Sequence, residues 1–526
     1  MNIKRILAAV LFQLAIVSLG FGQTIDLNSK LSKKKMYKDF DQFVQIIDSS
    51  TQTLVRKIAT GYDAAEEIRQ RRPQIEKIKS YGEFLRFLDK CLSLTMSVHA
   101  RMAQRYFSGS ISDTQIVAPL YQAYDKYVNN LPSDFANVGL GNGFYYKGDY
   151  YIYGRHVFEN MHTSERITLT DIRLLKHNGE PIGKLKNSQI RGLPHWYRWD
   201  YQLKQYYTIA CLISRMDKIT VEDYTIKKIV ELDGKDWRRA FNPTSLLEFD
   251  PTPLLDGITH AEFKKRTPKV EESDNRKITY YDSLHVLYIY MGEMEYDSNF
   301  VDSIKKMKGK QIDKIIWDVR DNPGGSDWAW VSVLKAIVKD TLPTKIWLGF
   351  RNTSTMRRPL EDYLKDYPND ILKHKVSFLD STEFLTLVFE GEGDAPDSNS
   401  LQYEGKIYIL QNEFVASSTG SLLAKANLHN QFVTVGVPTG LIMGVGFSPA
   451  IFQLPESKFT FIMEACVDLT DCKTAFDVFH DRPKIEIYPT LDEIIEMNNY
   501  GYFLNKRGDE FLFKHDYLFK KVLEMK

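Results

Sequence analysis

The sequence has few cysteines and almost no net charge. Four cysteines among 526 residues are too few for a disulfide-based scaffold. The 69 basic and 68 acidic residues give a formal net charge of +1, which favours neither nucleic acid nor an anionic membrane as a partner. Cys466 and Cys472 flank a short polar stretch, and this spacing suits either a bridge between them or two unpaired thiols.

The sequence also lacks the motifs of several common enzyme classes. It contains no His-Glu-x-x-His motif, no paired-cysteine zinc spacing and no glycine signature for phosphate binding. We therefore expect a protein that holds no metal and no other cofactor.

The N-terminus has the pattern of an export signal. Lys4 and Arg5 precede a mostly apolar run, Ile6 to Leu19, and Gly22 ends a site of small residues at the spacing that signal peptidase requires. Residues 1–22 are therefore predicted to be a signal peptide. The mature protein is expected to be periplasmic or extracellular, without stable membrane insertion. An N-terminal membrane anchor is the alternative, although the apolar run is short for a membrane span.

Length and composition predict a multidomain α+β protein. A chain of 526 residues that is 43% hydrophobic can bury several cores. Residues 23–135 are predicted to be helical, with apolar residues such as Phe84 and Leu88 at helical spacing. Residues 136–240 are rich in strand-forming stretches, and Asn178-Gly179 predicts a tight turn between two strands.

The remaining boundaries follow from changes in composition. Residues 241–277 are polar and contain several prolines, which is typical of a linker. Strands and helices alternate in residues 278–500, and residues 501–526 are predicted to form a C-terminal helical tail. The acidic segment 390–397 is interpreted as a solvated loop, with a lid as the alternative.

The most informative stretch is Ile315 to Gly325, which reads I-I-W-D-V-R-D-N-P-G-G. Apolar residues at helical spacing follow from Trp328 to Val338. The order strand, glycine turn, helix leaves backbone N–H groups open at the carboxyl end of a sheet, where they can hold an anion or a developing oxyanion. A purely structural turn is the alternative.

A second strand-to-helix connection carries serines. Gly405 to Leu410 predicts a strand, and Ser417 and Ser418 lie just before a helical stretch, Ser421 to Leu428. A serine at such a place can cap the helix, which stabilises it by about 1 kcal/mol. It can also be a nucleophile, because its hydroxyl is exposed and the next amide points at the reaction centre.

Together these motifs make the region from Ile278 to Pro489 resemble the catalytic domain of the tail-specific, or C-terminal processing, protease family, which includes the tricorn-like peptidases. The matching segments are W-D-V-R-D-N-P-G-G, V-A-S-S-T-G, V-G-V-P-T-G and R-P-K-I-E-I-Y-P-T. The resemblance implies a ClpP/crotonase-like α/β catalytic domain. It also implies an exported serine-type endopeptidase that cleaves peptide bonds through an acyl-enzyme.

The resemblance also implies roles for individual residues. The family's nucleophile falls on Ser417, and the oxyanion hole would use the N–H of Ser418 and that of Gly324 or Gly325. A serine needs a partner that accepts its proton. The tricorn-like branch uses a histidine that follows an apolar helix, and His99 occupies that position.

The acid that orients this histidine is expected near the closing strand. Arg482 stands where the family commonly has an acidic residue, so Asp481 and Glu486 are the candidates.

The alternative to a serine-type endopeptidase is a secreted binding protein that keeps the fold without the chemistry.

The middle module resembles a PDZ domain in the segment L-L-K-H-N-G-E-P-I. The resemblance implies that it captures a substrate's C-terminus by strand addition. An unrelated β insertion is the alternative. The expected partner is a peptide or protein substrate rather than nucleic acid, and the sequence leaves the oligomeric state open.

Overall fold

A computed structural model describes residues 26–103, 114–131, 141–182, 197–213, 217–240, 275–357, 365, 371–443, 450–500 and 507–525. The predicted signal peptide, 1–22, lies outside these ranges, as do residues 241–274 of the predicted linker. In the described ranges, no helix is both long and apolar enough to cross a bilayer.

The N-terminal region is helical. Its α-helices are Lys33–Ser49, Thr51–Thr60, Ala64–Arg69, Tyr81–Ser93 and Thr114–Asn129, and a 3₁₀-helix spans Arg72–Lys77. The helix Tyr81–Ser93 begins after Ser80, whose side chain accepts a hydrogen bond from the Glu83 N–H. Its apolar stripe, including Phe84 and Leu88, is fully buried as its spacing predicts. The chain then turns into the short strand β1, Arg101–Met102.

The middle module consists of antiparallel strands. They are β2 Gly141–Tyr146, β3 Asp149–Asn160, β4 Arg166–His177, β5 Glu180–Pro181, β6 Tyr197–Asp200, β7 Gln205–Thr208, β8 Ala210–Ile213, β9 Lys218–Asp223, β10 Ile229–Asp233 and β11 Trp237–Ala240. The main sheet has the order β10-β9-β4-β3-β2-β8, while β6 and β7 form a separate hairpin.

The predicted turn in this module is present. Asn178 and Gly179 connect β4 to β5 with φ values of 51° and 86°. Two successive positive φ angles favour Asn-Gly, because asparagine tolerates the left-handed region and glycine has no Cβ. The resemblance of the module to a PDZ domain stays a prediction.

The C-terminal half alternates strands and helices. Its strands are β12 Arg276–Tyr281, β13 Val286–Met291, β14 Lys314–Asp318, β15 Leu342–Arg351, β16 Ile371–Val376, β17 Thr382–Asp394, β18 Ile407–Gln411, β19 Phe432–Gly436, β20 Ala450–Gln453, β21 Thr460–Met463, β22 Cys466–Asp468 and β23 Ile485–Glu486. Its α-helices are Ser298–Lys305, Asp327–Ile337, Ser354–Arg357, Ser418–Leu428, Leu491–Asn499 and Tyr517–Glu524. Short 3₁₀-helices lie at Asp282–Leu284, Ser377–Leu379 and Asp477–Phe479, and a π-helical turn spans Phe511–His515.

These strands form three sheets. The first has the order β12-β13-β14-β18-β19-β23 and is parallel except for the antiparallel pair β12-β13. The second has the order β16-β17-β15-β22, and the third, β1-β21-β20, joins the N-terminal region to the C-terminal half. The protein is thus a mixed α+β structure, as the helical and strand patterns of its sequence predict.

The six-stranded sheet is buried on both faces. In β13, Leu287 and Ile289 pack with the helices Asp327–Ile337 and Ser418–Leu428, whereas Tyr288 packs on the opposite side with the C-terminal segment. Such alternation follows from the two-residue period of a strand. Because β14 and β18 are parallel neighbours, the turns that follow them lie side by side at the carboxyl edge.

One expectation from the sequence differs from the structure. Much of the acidic segment 390–397 continues β17, because this long strand pairs with β15 as far as Asp394. The predicted helical tail contains the helix Tyr517–Glu524, and residues such as Leu518 and Phe519 are fully buried against the sheet. Apolar side chains at helical spacing cover the sheet face there, which keeps the segment in the core.

The two cysteines that could have formed a bridge are free. Cys466 is buried in β22, and Cys472 lies half-buried with its sulfur 3.5 Å from His480 Nε2. Of the two alternatives from the sequence, the structure therefore shows two unpaired thiols.

Candidate active site

Ser417 has an unusual backbone conformation. It is the residue before the helix Ser418–Leu428, with φ 53° and ψ −126°, and its side chain makes no capping bond to that helix. Such a conformation costs a non-glycine residue about 1–3 kcal/mol and persists only where the surroundings impose it. Because the half-buried Ser417 makes no capping hydrogen bond, the capping interpretation does not describe this serine.

The Ser417 hydroxyl instead meets His99. His99 Nε2 lies 2.9 Å from Ser417 Oγ, although 318 positions separate the two residues. His99 follows a loop that a buried arginine holds in place. Arg56 donates to the carbonyl oxygens of Thr95 and Met96, at 2.6 and 3.2 Å. His99 therefore reaches Ser417 from the N-terminal region.

The other ring nitrogen of His99 meets Glu464, a residue that the sequence did not single out. His99 Nδ1 lies 2.7 Å from Glu464 Oε1, and the second carboxylate oxygen accepts from the Ser97 hydroxyl. The strand register explains this contact, because β1 pairs antiparallel with β21 and Arg101 faces Ile462. Extending this register by two positions places His99, two residues before Arg101, opposite Glu464, two residues after Ile462. No local signal in the sequence specifies this pairing.

Burial and charge have opposite effects on the pKa values of His99 and Glu464. Burial alone would lower the pKa of His99, but the Glu464 carboxylate and its hydrogen bond outweigh this and raise that pKa above 6.5. Burial alone would raise the pKa of Glu464, but His99 and the Ser97 hydroxyl lower it below its ordinary value. Because the carboxylate only accepts, Nδ1 carries the imidazole proton and Nε2 is left to accept from Ser417.

The predicted glycine turn lies directly against Ser417. A Cβ built on Gly324 would stand 2.6 Å from Ser417 Cβ and 2.9 Å from the Ser418 nitrogen, so only glycine fits this approach. The Ala416 N–H donates to the Asn322 carbonyl at 3.2 Å, which joins the two turns. The glycine turn and Ser417 are therefore packed directly against each other.

The two glycines of this turn differ in their backbone N–H groups. The Gly324 N–H donates to the Asn322 side-chain oxygen at 2.9 Å and is thereby occupied. Among the described residues, the N–H groups of Gly325 and Ser418 meet no protein acceptor. A site with a serine hydroxyl, a carboxylate-paired imidazole and two open N–H groups is suited to acyl transfer.

The two acids expected to orient His99 lie elsewhere. Asp481 accepts from the Tyr201 hydroxyl at 2.8 Å and from the Gly440 N–H at 2.7 Å, and its burial raises its pKa to about 6. Glu486 accepts from Arg482 Nε at 2.7 Å. The prediction of the orienting acid is corrected to Glu464, because β21 rather than the closing strand lies beside the histidine.

Residues 285–462 match the model of peptidase family S41. The chain carries an S41 peptidase domain. The match confirms the predicted tail-specific protease family for this region, and the chain is accordingly a serine-type peptidase whose substrates are peptides or proteins. The matched residues include the glycine turn and Ser417, whereas His99 and Glu464 lie outside them.

Solved structures resemble this chain over most of its length at low identity. Mature CPAF has a TM-score of 0.49 and 12% identity, covering 90% of this chain and 96% of its own. The photosystem II D1 C-terminal processing protease has a TM-score of 0.37 and 10% identity, covering 87% and 94%. The tricorn protease has a TM-score of 0.32 and 13% identity, covering 89% of this chain and 37% of its own. The search of curated proteins returned no match.

Proposed function

We propose that the protein is an exported serine endopeptidase that works through a Ser417–His99–Glu464 triad. The observation that carries the proposal is the 2.9 Å separation between Ser417 Oγ and His99 Nε2. This distance lies within hydrogen-bond reach, as general-base catalysis requires. The pattern at the N-terminus supports export to the periplasm or the cell exterior.

In the first step Ser417 Oγ attacks the scissile carbonyl while His99 Nε2 accepts its proton. Glu464 stabilises the imidazolium that forms, since its carboxylate lies 2.7 Å from Nδ1. His99 then returns the proton to the leaving amine as the acyl-enzyme forms. A water molecule, activated by His99 in the same way, hydrolyses the ester and frees Ser417.

The tetrahedral oxyanion would accept from the N–H groups of Ser418 and Gly325. The Gly324 N–H is the poorer candidate, because it already donates to Asn322 within the turn. Fixed donors of this kind stabilise developing charge without reorganisation, and losing one typically costs about 10²- to 10³-fold in rate.

The test is labelling of the mature protein with a fluorophosphonate, which forms a covalent bond only with an activated serine. The wild-type protein should be labelled, and Ser417→Ala should not. Ser418→Ala is the matched control, because it keeps the backbone N–H and changes only the neighbouring hydroxyl.

The alternative is a secreted binding protein that keeps the fold without the chemistry. It would be favoured if the wild-type protein showed no Ser417-dependent labelling between pH 6 and 9 and did not cleave unfolded casein. The paired histidine and the strained serine argue for the enzyme, since a binding protein gains nothing from either.

A further inference from the structure

We propose that Arg507 is a positioning residue, through which the C-terminal segment 507–525 holds the glycine turn in place against the nucleophile. The inference rests on the proposed function, because it concerns the precision of that same site. Arg507 is about 190 positions away from the glycine turn in sequence and belongs to the predicted C-terminal helical tail, 501–526.

Arg507 connects the end of strand β14 to the turn that follows it. Its Nη2 atom donates to Asp321 Oδ2 at 2.8 Å, and its Nη1 atom pairs with Asp318. Only 1% of the Arg507 side chain is exposed, and its guanidinium lies 4.3 Å from the centre of the Tyr290 ring. A planar guanidinium can bridge two carboxylates in this way, whereas a lysine presents a single charge.

Asp321 carries this connection to the nucleophile loop. Its N–H donates to Asn412 Oδ1 at 3.0 Å, and Asn412 Nδ2 donates back to Asp321 Oδ1 at 2.7 Å. Asp321 also adopts a φ of 66°, a conformation that needs outside support in a residue other than glycine. The reciprocal pair joins the start of the glycine turn to the loop that leads from β18 to Ser417.

The C-terminal segment is itself anchored by charge. Asp516 accepts from the N–H groups of Leu518 and Phe519 at 3.1 and 3.0 Å and so caps the final helix. The same carboxylate pairs with Arg320 Nη1 at 2.9 Å, and Arg320 Nη2 pairs with Asp318 at 2.7 Å. Strand, turn and C-terminal segment therefore share one buried ionic network.

A network of this kind gives little net stability, because removing charges from water offsets their attraction. The network instead fixes the position of the glycine turn. The turn must hold the Gly325 N–H at the position of a developing oxyanion, and small displacements in an active site can cost about 10²-fold in rate. Arg507 and Asp321 restrain the turn at one end, while Gly324 packs on Ser417 at the other.

The experiment measures the rate constant for inactivation by a fluorophosphonate and, separately, the concentration of probe that half-saturates it. Asp321→Asn is the principal variant: it keeps an oxygen for Asn412, removes the acceptor of Arg507 and leaves Arg507 paired with Asp318. Arg507→Gln and Arg507→Lys test the other partner. Lys514→Gln is the matched control, because Lys514 lies in the same segment in an exposed pair with Glu510.

We expect Asp321→Asn and Arg507→Gln each to lower the inactivation rate constant by about 10-fold, with little change in half-saturation or in unfolding temperature. Arg507→Lys should fall between the wild type and Arg507→Gln. The double variant should lose no more than either single one, since both act through one contact. Lys514→Gln should behave as the wild type.

Unchanged inactivation rates in folded Asp321→Asn and Arg507→Gln would overturn the inference and leave the proposed function standing. If Arg507→Gln does not fold, Asp321→Asn decides alone. An unlabelled wild type would instead count against the proposed function. Hydrogen exchange then still tests the inference: the amides of Asn322, Gly324, Gly325 and Ser326 should exchange faster in Asp321→Asn than in the wild type, and equal exchange would contradict it.

Discussion

Glu464 Oε1 lies 2.7 Å from His99 Nδ1, and the two residues are 365 positions apart in sequence. The strand that follows His99 pairs with the strand that precedes Glu464, so one short antiparallel ladder brings the histidine and the glutamate together. Ser417 instead lies in the connection between β18 of the six-stranded sheet and the helix Ser418–Leu428. The triad therefore depends on how the N-terminal helical region packs on the C-terminal half.

Replacing His99 should remove the base without unfolding the protein. We expect His99→Gln to lower kcat and the fluorophosphonate labelling rate by about 10²- to 10⁴-fold, because His99 is the side chain that meets the Ser417 hydroxyl in the described part of the chain. His162→Gln is the matched control, since that histidine is exposed on the middle module. Wild-type labelling in folded His99→Gln would contradict the assigned base.

The pH dependence should report the raised pKa of His99. Only neutral imidazole accepts the serine proton, so kcat/KM should fall as the pH drops through a pKa above the ordinary 6.5. Glu464→Gln should lower kcat and move this acid limb to lower pH, because the attraction that raises the pKa is gone. An acid limb that stays in place in Glu464→Gln would refute the pairing.

Gly324 should be essential for the shape of the site. A methyl group at this position would meet Ser417, so we expect Gly324→Ala to lower the labelling rate by about 100-fold. Gly309→Ala is the matched control: Gly309 also has a positive φ, but its Cβ would meet nothing within 4 Å. Equal labelling of the two variants would show that the close approach does not matter.

Asp481 should affect stability in a pH-dependent way. Its pKa is raised to about 6 in the folded protein from an ordinary 3.8, so it destabilises the fold as the pH rises through this interval. The difference between the unfolding free energies of Asp481→Asn and the wild type should therefore shift by about 3 kcal/mol in favour of Asp481→Asn from pH 3 to pH 8. Urea denaturation at both pH values measures this shift, and a constant difference would contradict it.

Much of the C-terminal half could be predicted from local patterns. The strands β13 and β19, the glycine turn and the serine before a helix are set by apolar periodicity and by residues that few other side chains can replace. The acidic segment 390–397 was predicted less well. Its charges suggest a loop, but a ladder with β15 supplies the hydrogen bonds that hold it as a strand.

The sequence by itself determined the strand-turn-helix units and the presence of a serine, a histidine and a glycine turn, because these depend on residues close together in the chain. The tertiary structure alone decided that Glu464 rather than Asp481 or Glu486 meets His99, and that Arg507 reaches Asp321. Both contacts span more than 180 positions. They are specified by strand register and by the packing of whole elements, to which many distant side chains contribute together.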